Sequence, residues 1–358
     1  MSRKSLCGGL IIGGFQGASL PESYARSLRE STRGGAILFK QNVVEGPHQV
    51  AALARQVHAA SPAPLLGIDQ EGGRVARLRD PFIAVPAMSL LASTGDTAFA
   101  EKVANAVALE LAAVGCTINF APVLDVNTCP HNPVIGDRAF GADPEVCAQF
   151  GAAWIRGLEG AGLLAAAKHF PGHGDTSTDS HFDLPVVDQS LARLERVELA
   201  PFRVAIDAGI GAMMTAHVVY SALDPSLPAT LSPLICTSLR ERLGFRGMLL
   251  SDDLEMRAVA DGWAIGDAAV AAVAAGCDAL LVCHGEDAQE AALEAMVRES
   301  ERSPTFTARC EQARTRVLEA RSRVRVQPPS DAEVTRVVGG AESRLIALQI
   351  ARRLQRPG

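Results

Sequence analysis

Short apolar runs recur along the chain, each followed by polar or glycine-rich residues and then by a longer stretch of helical period. Runs at 8–14, 36–39, 65–68, 118–123, 163–167, 211–215, 248–250 and 279–282 have the length and the Ile, Leu, Val and Ala content of buried strands. The intervening stretches read as helices over 21–30, 46–59, 143–160, 191–208, 237–243 and 266–275, the fifth strand's helix being interrupted at Pro201. One helix is especially well marked. It opens near Asp96, places Phe99, Val103, Val107 and Val114 at a 3.6-residue period with Glu110 as the polar exception, and stops at Gly115.

Strands that alternate with helices eight times predict an α/β fold, a closed TIM-type (β/α)8 barrel in a single domain over 1–300, with helices at 301–358 packed on it or extending from it. A doubly wound open sheet is the alternative. Against it, chemistry-capable side chains occupy six strand ends: Asp69, Asp125, Lys168 with His169, His217, Asp252 and His284. Barrels gather their active sites at that end, whereas an open sheet concentrates them at one switch point. Beyond His284 the chain is helical and arginine-rich (Arg314, Arg316, Arg321, Arg323, Arg325), with a linker at 327–330 and a last helix at 332–354. A solvated helix face is the expectation for such a charge run.

Composition narrows the class. A hydrophobic content of 48% is ample for a core, and a net charge of −6 gives no basic footprint for nucleic acid or an anionic membrane. Gly, Pro or charge interrupts every apolar segment before it could span a bilayer, and residues 10–12 are too few for a signal-peptide core. The eight cysteines are scattered without a Cys-x-x-Cys pair, which predicts reduced thiols in a cytoplasmic protein. A monomer or weak dimer is expected.

The densest chemistry lies in 168–181, where three histidines, two aspartates and a lysine follow the fifth strand. His169, His173 and His181 could hold a metal, but Pro171, Gly172 and Gly174 remove the helix that would stack them at i and i+4. No metal and no cofactor are expected. Asp179 and His181 suit acid/base work instead, because a carboxylate that accepts from one ring nitrogen fixes the tautomer and supports the imidazolium. Asp252 and Asp253 close the seventh strand, and a carboxylate kept ionised there by cations can attack an anomeric carbon. Neighbours on a strand point to opposite faces, so one of the two is expected to face the site. Asp69, Arg77, Arg138, Lys168 and His169 form a set of hydrogen-bonding groups of the kind that buried sugar hydroxyls require.

Lys168 to His181, in one-letter code KHFPGHGDTSTDSH, resembles the diagnostic loop of the bacterial β-N-acetylhexosaminidases of glycoside hydrolase family 3. Further blocks match in order: Asp69 to Val75 with Arg77, Asn119 to Val126, Gly136 to Gly141, and Ser251 to Leu254. The resemblance implies that Asp252 is the nucleophile, that Asp179 and His181 are the acid/base dyad, and that Asp69, Arg77, Arg138, Lys168 and His169 bind the sugar. It further implies retaining hydrolysis, without cofactor, of terminal non-reducing N-acetylglucosamine from small saccharide or muropeptide substrates of peptidoglycan recycling. Glu255 departs from the small residue common at that position in the family. The two rival readings are a metal-dependent hydrolase on the same barrel and a non-catalytic amino-sugar-binding protein.

Overall fold

The computed structural model describes residues 1–61, 63–177 and 184–355. Eight parallel strands close into a barrel: β1 (Ile11–Gly13), β2 (Gly35–Leu38), β3 (Leu65–Ile68), β4 (Ile118–Asn119), β5 (Leu164–Phe170), β6 (Ala212–Thr215), β7 (Met248–Asp253) and β8 (Ala279–Val282). Each strand pairs with its neighbours in chain order, and β1 pairs with β8 to complete the ring. The expected fold class is therefore the observed one. Helices cover the outside, where long hydrophobic stripes such as Phe99, Val103, Val107 and Leu111 are buried. Asp96 caps that helix, Thr97–Ala113, by accepting the Phe99 N–H at 2.8 Å.

Several bounds differ from the pattern-based expectation. The first strand shrinks because Arg3–Gly8 is helical, started by the Ser2 hydroxyl. The fourth ends at Asn119, and Val123 then makes only an isolated bridge to Lys168. β5 continues past Ala167 through Lys168, His169 and Phe170, whose ladder includes Lys168 N–H to the Pro122 carbonyl at 3.0 Å and Ala216 N–H to the Phe170 carbonyl at 2.8 Å. The polar residues at its end belong to the strand because the barrel mouth, unlike the barrel middle, is lined by polar side chains. At 191–208 there are two helices, Leu191–Arg196 and Ala200–Asp207, with Pro201 in the first turn of the second, where a missing N–H costs nothing. The last predicted helix is also two, Asp331–Val337 and Ala341–Leu354, separated at Gly339, whose φ of 63° is left-handed.

The arginine-rich tail is more than a solvated face, although Arg323 and Arg325 remain exposed. The helix Pro304–Arg323 lies across the N-terminal ends of the strands. Arg309 and Arg316 from this helix, with Arg240, converge on the fully buried Asp278 at 2.7, 3.2 and 2.5 Å. Arg325 donates to the Gly160 carbonyl at 2.8 Å, Arg321 to Gly34, and Arg323 to both Gly209 and Glu159. Turns that feed parallel strands leave carbonyls without partners, and these guanidiniums supply the donors. All eight cysteines are free thiols, and seven are buried. Among the described residues, no helix is long and apolar enough to cross a membrane.

Candidate active site

At the opposite, C-terminal end of the barrel a buried ion network crosses from β5 to the turn after β3. The Lys168 ammonium lies 2.8 Å from Asp69 Oδ1 and 2.6 Å from Glu71 Oε1. Arg77 Nη2 meets the other Asp69 oxygen at 2.9 Å, and Arg138 grips Glu71 through Nε and Nη2, both at 2.9 Å. Burial alone would raise the two carboxyls. Lys168 and Arg77 outweigh it for Asp69, which is held well below the usual carboxylate range, while Arg138 and Lys168 hold Glu71 at about 2. Burial likewise opposes the charge on Lys168, but Asp69 and Glu71 raise its pKa overall. An ammonium has three N–H groups, so two carboxylates leave Lys168 one for a ligand.

Beside this network, Asp125 is fully buried and organises two histidines. Its Oδ2 lies 2.7 Å from His169 Nδ1, and its Oδ1 accepts the backbone N–H of His169 at 3.1 Å and of His173 at 2.6 Å. The carboxylate accepts a hydrogen bond from His169 Nδ1–H, which fixes the tautomer and leaves Nε2 without a partner among the described residues. Burial raises the Asp125 carboxyl, but the His169 and His173 contacts prevail and lower it. His173 is different: burial pushes it down to about 4, and its Nδ1 is engaged with Thr176 Oγ1 at 2.8 Å. Its neutral ring is part of the loop's frame.

The segment after β5 is packed tightly as far as Thr176. Tyr220 Oη donates to the Gly172 carbonyl at 2.7 Å, Asn132 Nδ2 to the His173 carbonyl at 2.9 Å, and Asp175 accepts from Thr128 and Gln189, each at 2.7 Å. Gly172 has a φ of +134°, and any Cβ on Gly174 would stand 1.8 Å from the Val126 carbonyl oxygen, so glycine is required at both places. Asp179 and His181 lie outside the described residues.

The two aspartates of β7 separate in role. Asp252 lines the central cavity, and its Oδ1 accepts the Asp253 N–H at 2.8 Å. Burial would raise it, but the His169 and His217 rings, that N–H and Lys168 together lower its pKa, so it is ionised at neutral pH. Asp253 borders the same cavity but also binds the end of β8, accepting the Cys283 N–H at 3.2 Å. His217 donates from Nε2 to the Asp253 carbonyl at 2.9 Å, and burial lowers its pKa.

A cavity of about 420 Å³ joins these groups, lined by Asp69, Arg77, Lys168, Asp252 and Asp253 and walled by Phe39, Met256 and His284. Of the sequence-predicted residues, Asp69, Arg77, Lys168 and Asp252 face the cavity, and Asp253 borders it too, so the expectation that only one of the two adjacent aspartates faces the site is not met. Arg138 and His169 stand behind it, held by Glu71 and Asp125. Sequence reasoning placed Asp125 at a strand end without giving it a role and did not single out Glu71, although the alternation Asp69-Gln70-Glu71 carried the signal. Among the described residues, no three His, Cys, Asp or Glu side chains gather as a metal set.

The model of the glycosyl hydrolase family 3 N terminal domain matches residues 17–320, a span that contains the whole cavity lining. The chain belongs to glycoside hydrolase family 3. Within the family it stands with the bacterial β-N-acetylhexosaminidases. It is 43% identical over 283 residues to a β-hexosaminidase of Thiobacillus denitrificans, covering 76% of this chain and 78% of that protein. The structure is similar to a family 3 β-N-acetylglucosaminidase from a Paenibacillus species, with a TM-score of 0.91 and 37% identity over 99% of this chain and 69% of that one. It is also similar to NagZ of Neisseria gonorrhoeae in complex with N-trifluoroacetyl-D-glucosamine, with a TM-score of 0.80 and 30% identity over 97% of this chain and 98% of that one.

Proposed function

We propose that the protein is a retaining exo-β-N-acetylglucosaminidase that releases terminal non-reducing N-acetylglucosamine from peptidoglycan-derived muropeptides in the cytoplasm. The observation that carries this reading is the placement of an ionised Asp252 in the cavity that Asp69, Arg77 and Lys168 also line. Those groups offer donors and acceptors to sugar hydroxyls, and Arg77 Nε is a buried donor with no partner among the described residues. The third Lys168 N–H completes the set, with Arg138 and His169 supporting it from behind through Glu71 and Asp125.

In the first step an Asp252 oxygen attacks the anomeric carbon as the glycosidic C–O bond breaks. The bonding pair passes to the leaving oxygen, which takes a proton from His181, and a glycosyl ester forms on Asp252. Water then attacks the anomeric carbon, its proton passes to His181, and the ester bond breaks to restore the carboxylate with retained configuration. Asp179 holds the His181 ring in the productive tautomer and stabilises its charged form.

The test is hydrolysis of an aryl β-N-acetylglucosaminide with the first-formed anomer followed by proton NMR. The β anomer appearing first supports the mechanism, as does loss of turnover in a folded Asp252→Ala protein. The α anomer first, or an active Asp252→Ala enzyme, would sink it. Binding of N-acetylglucosamine without any release would favour a sugar-binding protein, and activity lost to chelator would favour the metal-dependent rival.

A further inference from the structure

The buried end of the cavity is accounted for by Asp69, Lys168 and Asp252, but its mouth is not. There His284 follows β8 with its side chain 62% exposed, yet it is held from three directions. Its Nε2 lies 3.3 Å from Asp253 Oδ2. Its ring stacks on Phe39, with centroids 5.4 Å apart and 29° between the planes. Its backbone N–H donates to Glu255 at 2.6 Å, beside the Gly285 N–H, which donates to the other oxygen at 3.1 Å. Asp253 also accepts the Cys283 N–H, so two carboxylates from the end of β7 staple the end of β8. Phe39 in turn lies under the Arg77 guanidinium, whose carbon is 5.5 Å from the ring centroid, and Arg77 is bound to Asp69.

Exposed side chains ordinarily keep their rotamer freedom, and fixing one costs entropy. A rim ring contributes little to the core, so its ordering points to recognition, where a group already fixed in place binds more tightly than a mobile one. One face of His284 rests on Phe39, and the other face is accessible. A pyranose presents a flat patch of C–H groups, which packs well against an aromatic face. Nδ1 has no partner among the described residues and can meet a hydroxyl.

We propose that His284 is a specificity-determining residue that receives the sugar ring of the leaving group, with Asp253 and Glu255 as its positioning residues. This rests on the exo-glycosidase reading above. A terminal sugar seated against Asp69 and Lys168 fills the buried end, and whatever is attached to its anomeric carbon leaves through the mouth.

The probes are N,N′-diacetylchitobiose, whose leaving group is a sugar, and methyl β-N-acetylglucosaminide, whose leaving group has no ring. His284→Ala lowers the ratio of kcat/KM for the disaccharide to that for the methyl glycoside about tenfold, mainly through KM. His284→Phe keeps the flat ring and restores most of the ratio. Glu255→Ala moves the ratio in the same direction, and Glu255→Gln, whose carbonyl still accepts one N–H, moves it less. An unchanged ratio overturns the proposal, as do equal losses on both probes. So does a loss that tracks N-propionyl against N-acetyl at a constant leaving group, which would assign the ring to the terminal sugar. A wild-type protein that cleaves neither probe overturns the hydrolase reading itself, whereas hydrolysis with an unchanged ratio removes only the His284 assignment.

Discussion

The Lys168 ammonium lies 2.8 Å from Asp69 Oδ1 although 99 positions separate the two in the chain. With the buried Glu71 on its other side, this single cation links the end of β5 to the turn after β3 and fixes Asp69 at the cavity wall. A buried pair of this kind is costly to break, because the charge left behind has no water to solvate it.

Replacing Lys168 by Met therefore has two consequences. Asp69 and Glu71 lose their shared counter-ion, and unfolding in denaturant shows a loss of about 3–5 kcal/mol. The charged donor to a sugar hydroxyl also disappears, and kcat/KM on an aryl β-N-acetylglucosaminide falls about 100-fold. A stable variant with near-normal kinetics would contradict both expectations.

The same network has a signed pH dependence. Glu71 ionises in the fold at about 2, against 4.5 ordinarily, so its stabilising contribution is complete above pH 4.5 and is lost as pH falls toward 2. The gap in melting temperature between the wild type and Glu71→Gln is accordingly constant above about pH 5 and shrinks through the acid window. Lys168 acts at the other extreme: its raised pKa gives stability that persists below 10.5 and is lost only at more alkaline pH. A gap that widens on acidification would show that Glu71 is not held ionised.

Gly174 is a test of the loop's foundation. Its missing Cβ allows contact with the Val126 carbonyl, and Gly174→Ala has to displace backbone on one side or the other. The displaced segment leads directly to Asp179 and His181, so kcat falls at least about tenfold while much of the fold survives. Steady-state kinetics alongside a thermal melt separate the two effects. Full activity would mean that the segment after residue 174 is set independently.

At the other end of the barrel, Asp278→Asn leaves Arg240, Arg309 and Arg316 around a neutral amide. The expected cost is about 3–5 kcal/mol in denaturant unfolding. Because this cluster is remote from the cavity, kcat/KM measured well below the melting transition stays within about twofold of wild type. A stability change near zero would show that the arginines are sufficiently hydrated without it.

The strands, most of the helices and the closure into a barrel were legible in the sequence, since apolar runs and helix periods are local consequences of which side of each segment is buried. The start of the helix at Asp96 was readable for the same reason, its cap being an interaction within three residues. The five family-like blocks also marked where the site lies. Tertiary structure decided the rest. That Lys168 and His169 belong to a strand depends on ladder partners at Pro122 and Ala216, which no local pattern contains. That both aspartates border the cavity while only Asp253 staples β8 depends on the register between β7 and β8, which shifts between Leu250 and Asp253. The arginines of the tail read as solvated because charge in a helix usually is. They are instead drawn onto Asp278 and the strand-feeding turns, since only barrel closure brings those unpaired carbonyls and that buried carboxylate to the helix Pro304–Arg323. Local sequence determines which segments are buried, but ionic partners are chosen by a closure that joins residues tens to hundreds of positions apart.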